Sequence, residues 1–143
     1  MSTPHASADL LLKLYDLRRE ATMRQARQWF IGFTPESVDE LLDTVRGPHS
    51  ANFRMVATYW DMAASFVNNG AIDEQMFNDA NGEHIAVFSK IEPFIADYRQ
   101  RLGVPHYLKQ LEQLVMRIPN AAERLTATRE RLKAMTAARA AKP

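Results

Sequence analysis

Residues 51–69 constrain the fold more than any other segment of the 143-residue chain, because they form a helix that is apolar on two sides. On a wheel of about 100° per residue these faces lie nearly opposite each other. They consist of Phe53, Val56, Ala57, Trp60, Ala63, Ala64 and Val67, and of Met55, Tyr59, Met62 and Phe66. Only a narrow edge, with Asp61 at its middle, stays polar. A helix with two apolar faces belongs in the centre of a helical bundle.

The flanking segments carry start and stop signals of further helices. Thr34 and Pro35 are suited to the N-cap and the first position of a short helix that Gly47 ends. Pro93 should bend or split the helix that contains it, since proline removes a backbone hydrogen bond. Together with apolar periodicity, these signals predict helices over residues 7–31, 35–46, 51–69, 82–103, 105–118 and 120–140, and a short helix or capped turn that begins at Asp73.

Strand signals are nearly absent, because no run alternates apolar and polar residues in the manner of a half-buried strand. The sequence therefore predicts an all-α, single-domain helical bundle of five to seven helices over residues 1–143. We expect residues 1–6 and about 137–143 to fray at the two ends.

The first and last helices do not bury a full face inside such a bundle. In the first, the apolar stripe through Leu10 and Leu14 gives way to one through Met23 and Phe30 on another side. The last helix has only a thin stripe, which consists of Leu125, Thr128, Leu132 and Met135. We expect a protein partner or a second copy of the chain to cover these two surfaces.

Charge is unevenly distributed, although the net charge is only +1. Residues 34–97 carry three Lys or Arg against eleven Asp or Glu, and residues 117–143 carry seven against two. This favours a basic last helix that lies against the acidic body or against a neighbour. Nucleic-acid binding is a weaker alternative, because the basic end lacks interleaved aromatic residues.

The absence of cysteine excludes disulfides, thiolate zinc sites and a cysteine nucleophile, and it is compatible with a reducing cytoplasm, where we expect the protein to act. No secretory signal is evident at the N-terminus. The longest uncharged stretch of the central region, about residues 62–72, is shorter than the roughly 20 apolar residues of a membrane helix. We therefore expect no membrane association.

Motifs for metal or cofactor chemistry are also absent. Neither the Glu-x-x-His pairs of di-iron bundles nor His-Glu-x-x-His, a Walker A loop or Gly-x-Gly-x-x-Gly occurs. The four histidines, His5, His49, His84 and His106, fall at or near predicted helix ends, which favours solvent-facing or capping roles. We expect no metal, no cofactor and no catalytic residue.

Four ionic residues on the edges of apolar helices form the best candidate site. If the two central helices pack together, Asp61, Glu92 and Arg99 are expected to meet as a partly buried ion pair, with Arg54 nearby. A buried charge is costly unless it is paired, so a structural role is favoured over a catalytic one. The aromatic residues Trp29, Tyr59, Trp60 and Phe66 are either core or the walls of a pocket between helices.

Residues 53–115 resemble a group of small bacterial helical proteins classed as a domain of unknown function. The shared pattern includes Tyr59-Trp60-Asp61, a Gly-Ala-Ile-Asp-Glu turn, and Pro-Phe-Ile with Arg99 five residues after that Phe. The family pattern carries glutamate where this chain has Asp61. The resemblance implies an all-helical fold and no known activity, and no functional residue is transferred from it.

The sequence thus favours a non-catalytic helical interaction or assembly module that self-associates. The alternative is a small-molecule-binding bundle or enzyme with a site around Asp61, Glu92 and Arg99, beneath the aromatic walls.

Overall fold

The computed structural model describes residues 2–142, which form helices and connecting turns without a strand. The all-α prediction is therefore confirmed, but the described residues form nine α-helices rather than five to seven. Two expected helices are each divided in two, and the short segment after Asp73 forms a helix of its own. The elements are α1 (Pro4–Arg18), α2 (Ala21–Ile31), α3 (Val38–Arg46), α4 (Ser50–Asn68), α5 (Glu74–Ala80), α6 (Glu83–Ile91), a 3-10 turn (Glu92–Phe94), α7 (Ile95–Leu102), α8 (Lys109–Met116) and α9 (Ala121–Ala140).

The predicted first helix breaks between α1 and α2. The side chain of Glu20 accepts hydrogen bonds from the backbone N–H groups of Thr22 and Met23, both at 2.9 Å, and so caps a new helix. A carboxylate is favourable there because it meets the positive end of the helix dipole. The change of apolar side along this segment thus marks a helix boundary.

Helix α3 begins later than predicted, because Ser37 rather than Thr34 is its N-cap. Ser37 Oγ accepts from the N–H of Glu40 at 3.1 Å, and the carboxylate of Glu40 accepts from the N–H of Glu36 at 2.9 Å. These two bonds satisfy two N–H groups, whereas Thr34 and Pro35 remain in an irregular segment. Pro93 was expected to bend or to split its helix, and it splits it. The residue lies in the 3-10 turn between α6 and α7.

Two later helix starts also differ from the sequence-based expectation. Helix α8 begins at Lys109 rather than near Pro105, after Leu108 adopts a left-handed conformation with φ of 55°. Asn120 likewise has φ of 56°, and its side chain makes no capping hydrogen bond to α9. Asparagine tolerates that conformation better than most residues, which is why it ends the preceding turn instead of forming a capping box.

Helix α4 lies at the centre and contacts α2, α3, α5, α6 and α8. Its first apolar face is buried, with Phe53 and Trp60 almost fully inaccessible. On the second face Tyr59 is buried, whereas Met62 remains 39% exposed. The central position predicted for residues 51–69 is therefore confirmed, although the second face is only partly covered.

The basic helix α9 packs against α6 of its own chain. Leu125 anchors it in the core with 1% exposure. Arg129 bonds to Glu92 at 3.4 Å and Lys133 to Glu36 at 3.0 Å, so acidic residues of the body face this basic helix. Basic helix and acidic body therefore meet within a single chain.

Helical structure extends close to both ends of residues 2–142. Near the start, the N–H of Ser2 donates to the carbonyl of Gly70 at 3.1 Å, and Ser7 is fully buried. The fraying expected for residues 1–6 and about 137–143 stays a prediction, and Met1 and Pro143 lie outside the described range. None of the helices formed by residues 2–142 combines the length and apolar character needed to cross a bilayer.

Candidate functional site

Asp61 caps a helix other than its own. From the middle of α4, its Oδ1 accepts a hydrogen bond from the backbone N–H of Leu111 at 2.9 Å, in the first turn of α8. Leu108, at the N-cap position of α8, has no side-chain oxygen to offer. Burial raises the pKa of Asp61, and the N–H groups of Gln110 and Leu111 and the charge of Arg99 oppose that rise only in part.

Arg99 joins α7 to α8. Its Nε donates to the carbonyl of Tyr107 at 2.8 Å, and its Nη1 lies 3.2 Å from Glu112 Oε2. The side chain is only 10% exposed, and Nη2 has no partner among the described residues. The guanidinium therefore holds the turn before α8 against the helix that precedes it.

The other two members of the predicted cluster bond to residues other than Asp61 and Arg99. Glu92 pairs with Arg129 of α9, and Arg54 is exposed and donates from Nε to Ser50 Oγ at 3.1 Å. Within residues 2–142 no hydrogen bond or ion pair joins any two of the four ionic residues that the sequence grouped. Asp61, Arg99 and Glu92 each connect a different pair of segments, whereas Arg54 bonds within α4.

The candidate aromatic residues are divided between core and surface. Trp60 and Tyr59 are buried, and the Tyr59 hydroxyl donates to the carbonyl of Leu14. Phe66 is half-buried at the edge of the core. Trp29 is half-buried as well and borders an open cleft of about 550 Å³. The four side chains therefore do not form the walls of one pocket.

An ion pair between α2 and α6 is one of the polar contacts that sequence reasoning missed. Arg27 donates to Glu83 through Nη2 at 2.7 Å and Nε at 2.9 Å, and the indole N–H of Trp60 donates to the same carboxylate at 3.2 Å. Burial alone would raise the pKa of Glu83, but the hydrogen bonds and charge of Arg27 lower it overall. Arg27 and Glu83 are 56 residues apart, so no local pattern connects them.

All four histidines were expected to face solvent or to cap helices. His5, His49 and His106 are exposed, but His84 contradicts this expectation. It is fully buried, and its Nε2 lies 3.1 Å from Asn78 Oδ1, whereas Nδ1 has no partner among the described residues. Burial lowers the pKa of His84 to about 4. The helical spacing of this residue with Val87, Phe88 and Ile91, all on the buried side of α6, is the signal that would have identified it.

Lys90 is a second buried ionic residue that the sequence did not single out. It is 5% exposed, and its Nζ donates to the carbonyls of Phe30 and Ile31 at 2.8 and 2.9 Å, at the end of α2. The negative end of a helix dipole favours a cation at this place. Burial lowers the pKa of Lys90 to about 8. Its acceptors are backbone atoms of a distant helix, which leave no mark in the sequence.

Helix α1 exposes apolar side chains beside a groove that it forms with α5. Leu12 is 67% exposed and Tyr15 is 52% exposed, and both border the groove, which has a volume of about 400 Å³. The groove is lined by Ala8, Leu11, Leu12, Tyr15, Arg18, Met76, Ala80 and Asn81. We call the residues Ala8, Leu11, Leu12 and Tyr15 the α1 face.

The described residues contain no group of three or more His, Asp or Glu side chains arranged to hold a metal ion. The partly buried ionic residues described above form pairs, caps or bonds to backbone carbonyls. The α1 face is an exposed apolar surface that a partner can recognise.

Comparison with known proteins places the chain in a family. The sequence profile described as "Domain of unknown function (DUF4760)" matches residues 3–118, a span that contains helices α1 to α8 but not α9. No curated protein and no solved structure matches the chain significantly. The resemblance to a domain of unknown function is thus confirmed, and the chain belongs to the DUF4760 family.

Proposed function

We propose that this protein is a non-catalytic interaction or assembly module that self-associates through the α1 face. The observation that carries the proposal is the exposure of Leu12 and Tyr15 next to an apolar groove. Helix α1 has 15 residues, of which only Ser7 and Leu14 are buried. A helix that buries so little within its own chain favours a partner that covers the rest.

A second copy of the chain fits this face when the two α1 helices run antiparallel. Residues 4–11 hold one carboxylate and no Lys or Arg, whereas residues 12–19 hold three Lys or Arg side chains and one carboxylate. Antiparallel pairing places the half of each helix that is rich in Lys and Arg beside the half that has none, and it opposes the two helix dipoles. A two-fold axis also lets the same apolar residues contact each other.

Helix α9 is the second surface that we propose for a partner. Of its 20 residues only Ala121 and Leu125 are buried, and Met135 is 46% exposed near its end. The cytoplasmic location remains a prediction, and it is supported by the absence of cysteine.

The alternative, a small-molecule site or active site around Asp61, Glu92 and Arg99, is the weaker proposal. Each of these side chains binds a separate partner, namely the N–H of Leu111, Arg129 and Glu112. A shared ligand would have to break those contacts.

Sedimentation velocity over the micromolar range tests self-association. We expect the wild type to sediment as a dimer and Leu12→Glu to sediment as a monomer, since the substitution would bury a charge in the interface. Leu17→Glu is the matched control, because Leu17 is also exposed, at 55%, but lies about 140° around α1 from Leu12. A monomeric wild type, or equal dissociation by both variants, would contradict the proposal.

A further inference from the structure

A cleft of about 420 Å³ lies between α9 and the connection from α2 to α3, next to the 3-10 turn. Its volume falls within the range of roughly 300–1,000 Å³ that is usual for small-molecule sites. Four lining residues are apolar: Pro35, Pro93, Phe94 and Leu132. The others are Thr34, Glu36, Lys90, Arg129, Glu130 and Lys133.

Lys90 supplies a buried positive charge to the wall of this cleft. Its ammonium has three N–H donors, of which two bind the carbonyls of Phe30 and Ile31. No carboxylate among the described residues lies within ion-pair distance of Lys90. Its Nζ also lies 5.6 Å from the centroid of the Phe30 ring, but no oxygen among these residues accepts its third N–H. A buried cation without a counter-ion is costly, so an anion beside it would be favourable.

The other two cations that line the cleft already have acidic partners. Lys133 pairs with Glu36 at 3.0 Å, and Arg129 pairs with Glu92 and also donates to the carbonyl of Ser89 at 2.7 Å. Among the cations that line the cleft, Arg129 and Lys133 have a carboxylate partner within residues 2–142, and Lys90 has none there. Recognition of an anion in the cleft would depend on this residue.

We propose that the cleft binds a small organic acid, with the carboxylate on Lys90 and the hydrocarbon part against Pro93, Phe94 and Leu132. A carboxylate oxygen can accept the third N–H of the ammonium in a charge-assisted hydrogen bond. A phosphate dianion fits less well, because the lining residues carry three cations against two carboxylates, and the apolar residues among them offer no hydrogen-bond donor. This site uses no residue of the α1 face and is independent of self-association.

Benzoate is the probe for this site, and benzamide is its uncharged counterpart with the same ring. In NMR titrations we expect benzoate to bind saturably and to shift the amide signals of residues around the cleft, with benzamide about tenfold or more weaker. Equal affinity for the two compounds, or the absence of saturable benzoate binding, would overturn the proposal. Inorganic phosphate is the third probe, and binding as tight as that of benzoate would overturn the choice of a carboxylate.

Two variants assign the binding to Lys90 and to the cleft. Lys90→Met keeps an unbranched apolar side chain but removes the ammonium, and we expect benzoate binding to be lost, whereas Lys109→Met on α8 should bind as the wild type does. Because Lys90→Met also removes two contacts to α2 and can impair folding, Leu132→Trp is the second test. It fills the cleft from the partly exposed α9 side, so we expect an unchanged circular dichroism spectrum and loss of benzoate binding. Wild-type affinity in folded Lys90→Met or in Leu132→Trp would refute the site.

Discussion

The carboxylate of Asp61, in the middle of α4, accepts the backbone N–H of Leu111 at 2.9 Å and so caps the start of α8. This contact explains why an aspartate interrupts the most apolar segment of the chain. The first N–H groups of a helix lack partners within the helix, and α8 has no side-chain cap at Leu108. The aspartate therefore stabilises a neighbouring helix and needs no catalytic role.

Replacement of Asp61 by alanine leaves the N–H of Leu111 without this acceptor, and we expect a loss of about 1–3 kcal/mol in the free energy of unfolding. Asp61→Asn keeps a side-chain oxygen and avoids the burial of a charge, so it should stay within about 0.5 kcal/mol of the wild type. Urea unfolding measures both, with Asp79→Ala on the exposed side of α5 as the control. A stability of Asp61→Ala equal to that of the control would refute the cap.

Glu83 should contribute more to stability than a carboxylate in an exposed ion pair. Glu83→Ala leaves Arg27 and the indole N–H of Trp60 without their acceptor, which we expect to cost about 2–3 kcal/mol. The control is Glu74→Ala, whose pair with Arg117 is 42–43% exposed and should contribute less than about 1 kcal/mol. Chemical denaturation of both variants checks the difference, and similar losses would show that the α2–α6 pair is no stronger than a surface pair.

Burial of neutral His84 makes the stability of the protein depend on pH. Its pKa is about 4 in the folded chain against 6.5 for the free side chain, so the unfolded chain binds more protons between these values. The contribution of neutral His84 to the free energy of unfolding is complete above pH 6.5. It is lost as the pH falls toward 4, and the total loss is up to about 3 kcal/mol.

Urea unfolding of His84→Leu at several pH values tests this assignment. We expect the variant to lose less stability than the wild type when the pH falls from 6.5 to 5. His106→Gln, at an exposed histidine, should keep the pH dependence of the wild type. An unchanged slope in His84→Leu would show that another group titrates.

Leu125 should be the main anchor of α9. Leu125→Ala removes a side chain that is 1% exposed, and we expect a loss of about 2–4 kcal/mol. Leu132→Ala, on the same helix but only partly buried, should cost clearly less. Thermal unfolding followed by circular dichroism measures both variants. Equal and small effects would mean that the ion pairs of Arg129 and Lys133, rather than burial, hold α9 on the body.

Helix positions were predictable where the signal is local. The two apolar faces of residues 51–69 predicted the central place of α4, and Pro93 predicted the break between α6 and α7. The start of α3 was not predictable from Thr34 alone, because Thr34 and Ser37 are both possible caps. The bonds of Ser37 to Glu40 and of Glu40 to Glu36 decide between them. Residues with helical periodicity therefore define an element better than they define its ends.

The candidate polar site was predictable only as a set of partly buried ionic residues. Arg99 is buried and Asp61 is half-buried, but their partners are the carboxylate of Glu112 and the N–H of Leu111. The sequence also left out Lys90, since its acceptors are backbone carbonyls. Side-chain partners in different helices depend on how those helices cross.

The sequence alone determined that the chain is helical and which faces of its helices are apolar. It also determined that other helices have to surround α4. The reason is that residues three and four positions apart share one face of a helix, so a local pattern shows which face is buried. The tertiary structure decided which polar group meets which, as in the 56-residue separation of Arg27 and Glu83. Those contacts arise from the packing angles and axial positions of whole helices, which depend on every side chain in the interface.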